Sequence, residues 1–499
     1  MPVPFSAIPA DWKQPLYFVE VDPSRAGQSP LDQPALLIGQ KLPGGSAPAD
    51  TPIAVGSLAQ AQGYFGAGSM LERMAAAFFR NNQAQELWCL PVAEPAAGTA
   101  ATGSIALTGT AGAAGTLSLY IAGQPVRVGV AAAATAATIG AALAAAINAM
   151  ATLPVTAVNA AGTVTLACRW KGLTGNDIHL GVNLGGVAAG EALPAGIGLA
   201  VTAMSGGTAA PSFANAIAAL GDDPYEYVAF PFSDAGSLNA IEAEFGFGDA
   251  GRWGWMRQLY GHIFSAARGT YSALLALGAS RNSGVTLIDG IEVQMPTPVW
   301  EYAAAYAAQA ARALLNDPAR PLQTLPLLGV MAPAKGTRFA MTERNSLAKS
   351  GIAIHAVLPD GTVQISREAT TYTTNTLGVA DTAYDLVTTL ATLARLFRNQ
   401  RQAVTSKYAR HKLADDGTRF GEGQAIVTPN VIRAELVAQY EIDEFNGLVE
   451  NADAFAANLI VERAGGNPNR LNILYPPDLV NQMRMFAVLA QFRLQYTAA

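Results

Sequence analysis

The sequence predicts a multidomain α/β and α+β protein: an α/β core with a mixed sheet, a small β-rich inserted domain, and extended N- and C-terminal strand arms. Two observations lead to this fold class. Strand-like and helix-like segments alternate through most of the chain, and both ends carry strand-like segments without a hairpin partner nearby. A low-charge stretch over residues 96–205 interrupts the alternation. At 499 residues, the chain is too long for one hydrophobic core.

The composition is that of a packed protein with an unusually neutral surface. Hydrophobic residues make up 51% of the chain and charged residues only 14%, whereas a typical soluble protein carries about 25% charged residues. A large subunit interface would explain this low charge, and the many alanine and glycine residues contribute to it. The net charge of −6 argues against general nucleic-acid binding.

Residues 1–22 are predicted to form an N-terminal arm. Its segment 16–21 has β-type composition, is bounded by prolines, and has no close hairpin partner, so it must pair with a distant strand or another molecule. The residues before it lack the basic-then-apolar pattern of a signal peptide. The candidate pairing residues of this strand are Leu16, Phe18, Val19 and Val21.

An α/β body is predicted over residues 23–95 and 206–365. In its first part we expect strands at 35–39 and 85–92 and helices at 57–64 and 69–79. In its second part we expect strands at 225–232 and 285–288 and helices at 237–244, 258–266, 270–277 and 298–315. The alternation favours a mostly parallel sheet flanked by helices.

The stretch 96–205 is predicted to be an inserted β-rich domain. Residues 115–121 and 125–130 form a hairpin pattern about a glycine-containing turn. The uncharged run 130–151 consists mainly of small residues without flanking bases or aromatics, so we expect a buried or half-buried helix rather than a membrane span.

Residues 366–484 are predicted to form a C-terminal domain. Its main element is a helix that starts at Asp381 as N-cap and carries an apolar stripe from Leu386 to Phe397. A second helix starts at Thr428, and residues 459–462 and 471–474 are expected to pair. The last segment, 485–499, alternates as a half-buried strand would, with apolar residues at Phe486, Val488, Ala490, Phe492, Leu494 and Tyr496.

No catalytic, cofactor or metal motif stands out. The four histidines are far apart in sequence, and Cys89 and Cys168 have neither metal nor redox spacing, so both are expected to be small buried residues. Residues 246–251 match G-x-G-x-x-G but follow a predicted helix instead of a strand, which is the wrong context for a dinucleotide site. The turn at 66–69 lacks the rest of a phosphate-binding loop, and Ser69 is expected to be a helix N-cap.

A basic cluster follows the apolar stripe of the long helix. It could bind nucleic acid, but few aromatic residues accompany it and the chain is acidic overall. A solvated helix end or a contact with an acidic protein surface are the other interpretations. The cluster comprises Arg395, Arg398, Arg401, Lys407 and Arg410.

The chain resembles the tail sheath proteins of contractile phages, particularly the Mu-like group. Each matching segment is short, but together they cover nearly the whole chain in a consistent order. These segments are 5–15 (FSAIPADWKQP), 65–69 with Met74, 86–91, 317–322, 367–376 with Gly378 and Asp381, 407–410, 469–471 and 477–481.

The resemblance implies a structural protein and not an enzyme. Such sheaths stack six-fold rings around a tail tube and contract to drive it through the host envelope. The implied partners are further copies of the chain, the tail tube protein, and baseplate and tail terminator proteins, with no nucleic acid, membrane insertion, cofactor or metal. Assembly in the host cytoplasm and residence in the virion tail are the implied locations.

The resemblance also implies roles for the chain's parts. The resemblance makes the body the outer sheath domain, which is called subtilisin-like for its fold and not for any protease activity. Residues 366–484 correspond to the polymerisation domain. The terminal arms, here 16–21 and 486–496, add strands to neighbouring subunits, and the basic cluster faces the tube or another subunit. The alternatives are the sheath of a phage-derived bacteriocin or injection device and an α/β nucleotide-binding enzyme.

Overall fold

The computed structural model describes residues 33–494, so the predicted strand at 16–21 lies outside the described part. The protein is a mixed α/β protein with several sheets. Its first elements match the predicted strands and helices, and Ser57 and Ser69 cap the two helices with their side chains, as expected for Ser69. These elements are β1 (Ala35–Gln40), β2 (Ile53–Ala54), α1 (Leu58–Phe65), α2 (Met70–Asn81) and β3 (Leu87–Val92).

Residues 100–205 form two antiparallel sheets with one long helix. The predicted hairpin at 115–130 is present and so is the alanine-rich helix, which buries Ile139, Leu143 and Ile147. In the part of the chain that the structure describes, no helix is long and apolar enough to cross a membrane. The elements are β4 (Ala100–Gly109), β5 (Gly115–Ile121), β6 (Gln124–Val130), α3 (Ala136–Ala149), β7 (Val155–Ala160), β8 (Thr163–Lys171), β9 (Leu180–Val182) and β10 (Ile197–Ser205), in sheets ordered β10-β4-β8-β7 and β6-β5-β9.

The α/β alternation then resumes, with one difference from the prediction. Residues 262–269 are a buried strand, whereas 258–266 was predicted to be helical; periodicity alone does not separate a fully buried parallel strand from a helix. Gln258, Tyr260 and Gly261 have positive φ angles, which interrupt regular secondary structure just before this strand. The elements are α4 (Ala214–Ala218), β11 (Tyr227–Ala229), α5 (Ala235–Phe245), β12 (His262–Gly269), α6 (Tyr271–Ala279), β13 (Thr286–Glu292) and α7 (Val299–Asn316).

The central sheet has six strands in the order β13-β12-β11-β1-β3-β2. All neighbours are parallel except β2 beside β3, which agrees with the predicted mostly parallel sheet. The helix α7 contacts α2, β11 and β12 and is buried along most of its length. A small sheet ordered β14-β16-β15 follows, with one helix between its first two strands in the chain. The elements are β14 (Pro326–Met331), α8 (Met341–Lys349), β15 (Ile354–Val357) and β16 (Thr362–Arg367).

The C-terminal part is built on a 22-residue helix that starts later than predicted. It begins at Val387, and Asp381 is not its N-cap, because the Asp381 carboxylate accepts hydrogen bonds from the Tyr372 hydroxyl and the Ala383 N–H in the preceding loop. The second helix starts after Thr428 as predicted, and the hairpin at 460–474 forms. The elements are α9 (Val387–Tyr408), β17 (Lys412–Leu413), β18 (Ile426–Val427), α10 (Pro429–Phe445), α11 (Ala452–Asn458), β19 (Ile460–Arg463) and β20 (Leu471–Leu474).

The helix α9 takes part in two hydrophobic cores. Val387 and Leu390 are buried in the large core that contains the central sheet. Leu396 is completely buried in a second, smaller core, where it packs with α10 and α11 residues including Leu436 and Phe455. The predicted apolar stripe is therefore shared between two cores, and α9 joins the C-terminal part to the body.

We predict that Leu396→Ala destabilises the protein by about 2–5 kcal/mol, because it opens a cavity in the small second core. Urea unfolding followed by circular dichroism would measure this change. The matched control is Leu377→Ala, at a position 84% exposed, which should change the free energy of unfolding by less than about 0.5 kcal/mol. Equal effects of the two substitutions would contradict the proposed role of Leu396.

Candidate assembly interface

The C-terminal segment is anchored to the rest of the subunit at two side chains and then leaves it. The Gln482 amide donates a hydrogen bond to the carbonyl oxygen of Ala319. The Arg484 guanidinium pairs with the carboxylate of Glu368, which is completely buried. A buried carboxylate needs such a partner, so this ion pair fixes where the segment starts.

Beyond Arg484 the segment exposes its large apolar side chains. In the described residues 485–494 of the single subunit there is no strand, so the half-buried strand stays a prediction for the assembled protein. A strand is stabilised by pairing with another strand, and no strand among residues 33–494 forms a ladder with this segment. Tyr496 and the predicted N-terminal residues Leu16, Phe18, Val19 and Val21 lie outside the described residues. The exposed fractions are 78% for Phe486, 69% for Val488, 84% for Phe492 and 96% for Leu494.

The hairpin of β19 and β20 has open edges. It is a two-stranded antiparallel sheet, and within the described residues no third strand joins it. Val461, Leu471 and Tyr475 pack against the second core, while Ile460 and Leu474 remain exposed. Unpaired N–H and C=O groups on an edge strand are a template for another chain. The sequence predicted this hairpin but gave no sign that its edges stay free.

The predicted basic cluster is divided by the fold. Arg398 is turned toward the body: it donates a hydrogen bond of 2.9 Å to Glu226, forms an ion pair with the other carboxylate oxygen at 2.7 Å, and lies over the Tyr260 ring. Arg395 donates to the carbonyl oxygen of Leu315 at 2.7 Å. Burial raises the pKa of Glu226, while Arg398 acts in the opposite direction. These two arginines are therefore structural contacts of α9 with the body.

The other members of the cluster are exposed near the C-terminal end of α9. Arg401 and Arg410 are exposed, and Lys407 pairs with Glu435 of α10. They are the part of the cluster that can reach another molecule.

The glycine-rich turns are used to pack the chain against itself. A side chain at Gly251 would lie 2.2 Å from the carbonyl oxygen of Gly246, and one at Gly68 would lie 2.5 Å from that of Ala151. Ser69 accepts a hydrogen bond from the N–H of Glu72, and the Glu72 carboxylate accepts one from the N–H of Gly68. The N–H groups of Gly68 and Glu72 are therefore already paired within the subunit, which does not favour a phosphate site at the 66–69 turn.

Cys89 and Cys168 are buried and free, as predicted. Burial raises the pKa of both thiols, that of Cys168 to about 12. Among residues 33–494, no group of three or more metal-ligating side chains is arranged to hold an ion.

A buried charged cluster lies at the end of β13. The His355 ring places Nδ1 3.2 Å from Asp289 and Nε2 3.2 Å from Glu292, and the Tyr302 ring packs against it. Burial lowers the pKa of His355, but the two carboxylates outweigh burial and raise it to about 9. The imidazole is only 3% exposed, so the arrangement is suited to joining β13 and β15 and not to reacting with a substrate.

Comparison with known proteins identifies the family. A family model described as the phage tail sheath protein central domain matches residues 206–371, and one described as the phage tail sheath C-terminal domain matches residues 379–493. A Mu-like prophage tail sheath protein from Haemophilus influenzae is 40% identical over 496 residues, 99% of this chain and 100% of that protein. This chain belongs to the phage tail sheath family. The resemblance inferred from the sequence is confirmed.

Solved sheath structures are similar to this sheath protein at low identity. The sheath tail protein of Desulfitobacterium hafniense is 12% identical, with a TM-score of 0.47 over 94% of this chain and 97% of that one. That of Listeria innocua is 11% identical, with a TM-score of 0.48 over 91% and 93%. The helical sheath of the anti-feeding prophage in its contracted state is 11% identical, with a TM-score of 0.46 over 97% and 99%. Most side chains therefore differ between these proteins and this sheath protein.

We predict that the stability of this sheath protein falls as the pH rises through the pKa of His355. A group whose pKa is raised on folding contributes its full stabilisation below its unfolded value of about 6.5, and loses it above the folded value of about 9. Urea unfolding at a series of pH values between about 6 and 10 should show a loss of a few kcal/mol.

The matched variant is His355→Gln, which cannot carry the charge. It should be less stable than the natural protein at the acidic end of this range, and the difference should shrink at the alkaline end. A variant that keeps the full pH dependence would show that other groups cause it.

Proposed function

We propose that this protein is the sheath subunit of a contractile phage tail. It polymerises as stacked six-fold rings around the tail tube and contracts to drive the tube through the host envelope. The observation that carries the proposal is the row of apolar side chains at 486–494, which the subunit leaves in water. Membership of the sheath family and the match to a Mu-like prophage sheath protein support it.

Both terminal segments act as strand arms in this proposal. The arm residues are Leu16, Phe18, Val19 and Val21 at one end and Phe486, Val488, Phe492, Leu494 and Tyr496 at the other. Strand addition gains its affinity from main-chain hydrogen bonds and its specificity from alternate side chains. The open edges of β19 and β20 offer such hydrogen bonds on the receiving subunit.

The same proposal assigns a role to each part of the chain. Residues 1–22 and 485–499 are arms, 23–95 and 206–365 form the outer body, 96–205 is an inserted domain, and 366–484 is the polymerisation domain. Contraction is then a rigid-body change between subunits while the arms stay attached. The subunit assembles in the host cytoplasm, and its partners are itself, the tube, the baseplate and the tail terminator.

The same subunit would serve in a phage-derived bacteriocin or injection device. Genes for a capsid and DNA packaging near its own would favour a virion, and their absence would favour the device. Either outcome leaves the sheath role unchanged.

We predict that deleting residues 485–499 abolishes tube formation and leaves the body folded. Arg484 is retained, so the buried Glu368 keeps its partner. Negative-stain electron microscopy would count tubes and rings, and circular dichroism would check the fold.

The control is Leu377→Ser, which removes an equally exposed apolar side chain outside the arm and should leave tubes intact. Tubes of normal length from the truncated chain would refute the role of the C-terminal arm.

We also predict that the double variant Arg401→Glu and Arg410→Glu weakens co-sedimentation with the tail tube protein and keeps the subunit stable. These residues are exposed, so the change should grow weaker with added salt. Arg398→Glu is the contrasting variant: it leaves Glu226 buried without its partner and should cost about 3–5 kcal/mol of stability. Unchanged tube binding by the double variant would show that the basic cluster does not face the tube.

A further inference from the structure

The inserted domain at 96–205 has almost no free charge. The two matching sheath-family models begin at residues 206 and 379, so they assign no role to this domain. It contains only five charged residues, and each of them is already paired within the subunit. Arg127 pairs with Glu191, Lys171 with Glu94 and Asp177 with Arg268, and Arg169 donates to the carbonyl oxygen of Leu153.

The four-stranded sheet β10-β4-β8-β7 turns a neutral face to solvent. Its other face is buried and carries large apolar side chains such as Ile105. In the middle of the solvent face, Thr202, Ser104, Thr165 and Val158 form one row across the strands. The neighbouring row consists of three alanines and a threonine. Such a face can pack closely against another surface without burying a charge.

Two edges of the domain's sheets are protected against pairing with another chain. At β7, the Asn148 side chain of α3 accepts a hydrogen bond from the Ala157 N–H at 2.9 Å and donates one to its carbonyl oxygen at 2.8 Å. At β6, Pro125 has no N–H to donate, and Arg127 adds a charge. Covering groups, proline and charged side chains are the usual means by which proteins keep an edge strand unpaired.

The edge of β10 has none of these protections. Its sequence, IGLAVTAMS, contains neither proline nor a charged residue. The Leu107 N–H donates to the carbonyl oxygen of Gly162, on the β8 side of β4. Because successive residues of a strand alternate in direction, the register with β4 leaves the N–H and C=O groups of Leu199 and Val201 pointing away from the sheet. Within the described residues no strand pairs with them there.

Apolar side chains at this edge are also left partly uncovered. Val201 lies opposite Ile105 and therefore on the face of the sheet that is buried elsewhere, yet it is 39% exposed. Leu199 lies opposite the buried Leu107 and is itself only half-buried. A chain that paired with β10 would remove both side chains from water.

The inserted domain is fixed on the body. The Arg73 guanidinium of α2 donates to the carbonyl oxygens of Thr152 at 2.8 Å and Ala122 at 3.3 Å. The rings of Trp170 and Trp300 pack edge to face with their centroids 5.3 Å apart. The edge of β10 is therefore presented in a fixed position, and a partner that binds it loses little conformational entropy.

We propose that in the assembled sheath the open edge of β10 binds the inserted domain of a neighbouring copy. The inference rests on the proposed function and adds a contact between copies that does not involve the arms. The main-chain N–H and C=O groups of an open edge bind an extended segment without requiring special side chains on it.

Charge favours a second inserted domain as the partner. The net charge of the chain is −6, and the negative excess lies outside the inserted domain, which has three basic and two acidic residues. Like charge on the rest of the chain opposes close packing of copies. Two inserted domains can approach each other without this repulsion and without burying an unpaired charge.

Photo-cross-linking in tubes of the full-length protein tests the inference. Benzoylphenylalanine replaces Val201, and these subunits are assembled together with natural subunits that carry a heavy-isotope label. After irradiation, a denaturing gel should show a band of twice the subunit mass. Mass spectrometry should then find a labelled partner peptide from residues 96–205, which identifies the contact as one between copies.

Val158 is the matched control position for the cross-linker. It lies on the same sheet and is 70% exposed, but it belongs to β7, whose edge Asn148 covers. Random collisions would favour Val158, because it is more exposed than Val201. Several-fold more cross-linked dimer from position 201 than from position 158 is therefore the expected result.

A charge placed at the edge provides a second measurement. Val201→Lys should raise several-fold the protein concentration at which half of the subunits are in tubes, because a lysine on an edge strand opposes pairing. Val158→Lys adds the same charge to the same sheet and should leave that concentration unchanged. Circular dichroism would verify that both variants fold, and equal effects of the two substitutions would contradict the contact.

Three other results would overturn the inference. Tubes that give no more dimer from position 201 than from position 158 would refute the contact and leave the sheath function intact. A partner peptide from outside residues 96–205 would assign a different occupant to the edge of β10. Absence of tubes from the natural protein at high concentration would remove the proposed function itself.

Discussion

The burial of α9 in two hydrophobic cores is the constraint on which the rest of the subunit depends. Its first turns fill the large core through Val387 and Leu390, and Leu396 fills the second core with α10 and α11. The ion pair between Arg398 and Glu226 fixes the middle of the helix beside β11. Because one helix serves both cores, a force applied to the C-terminal part is transmitted to the central sheet without passing through a flexible linker.

The energetics of the exposed arm explain why it would act in a polymer and not alone. Each large apolar side chain contributes about 1.5–3 kcal/mol when fully buried. Ordering one residue costs about 1–2 kcal/mol in backbone entropy. For a segment such as 485–494 these terms nearly cancel, so one arm on one neighbour is a weak contact. In the proposed lattice every subunit would both donate arms and receive them, so that many weak contacts would add up to a stable assembly.

The sequence predicts those parts of the fold that depend on local residues. The cap at Ser69, the start of the second helix at Thr428 and the hairpin of β19 and β20 were all predictable, because caps, turns and alternation depend on residues close in sequence. The strand at 262–269 was not, since burial on both faces removes the alternation. The groove lined by Tyr260, Phe397 and Ile473 could not be predicted at all, because its lining comes from residues spread between 247 and 475 and only tertiary packing brings them together.

The C-terminal arm and the open edges of the hairpin are different surfaces of one chain, and this difference bears on the form of assembly. Two copies that exchanged identical surfaces would close into a dimer with two-fold symmetry. In the proposed assembly the donating surface contains Phe486 and Phe492, and the receiving surface is a free edge of the hairpin of β19 and β20. Such a heterologous contact leaves one donor and one acceptor free after each addition, so it continues until it closes as a ring or extends as a helix.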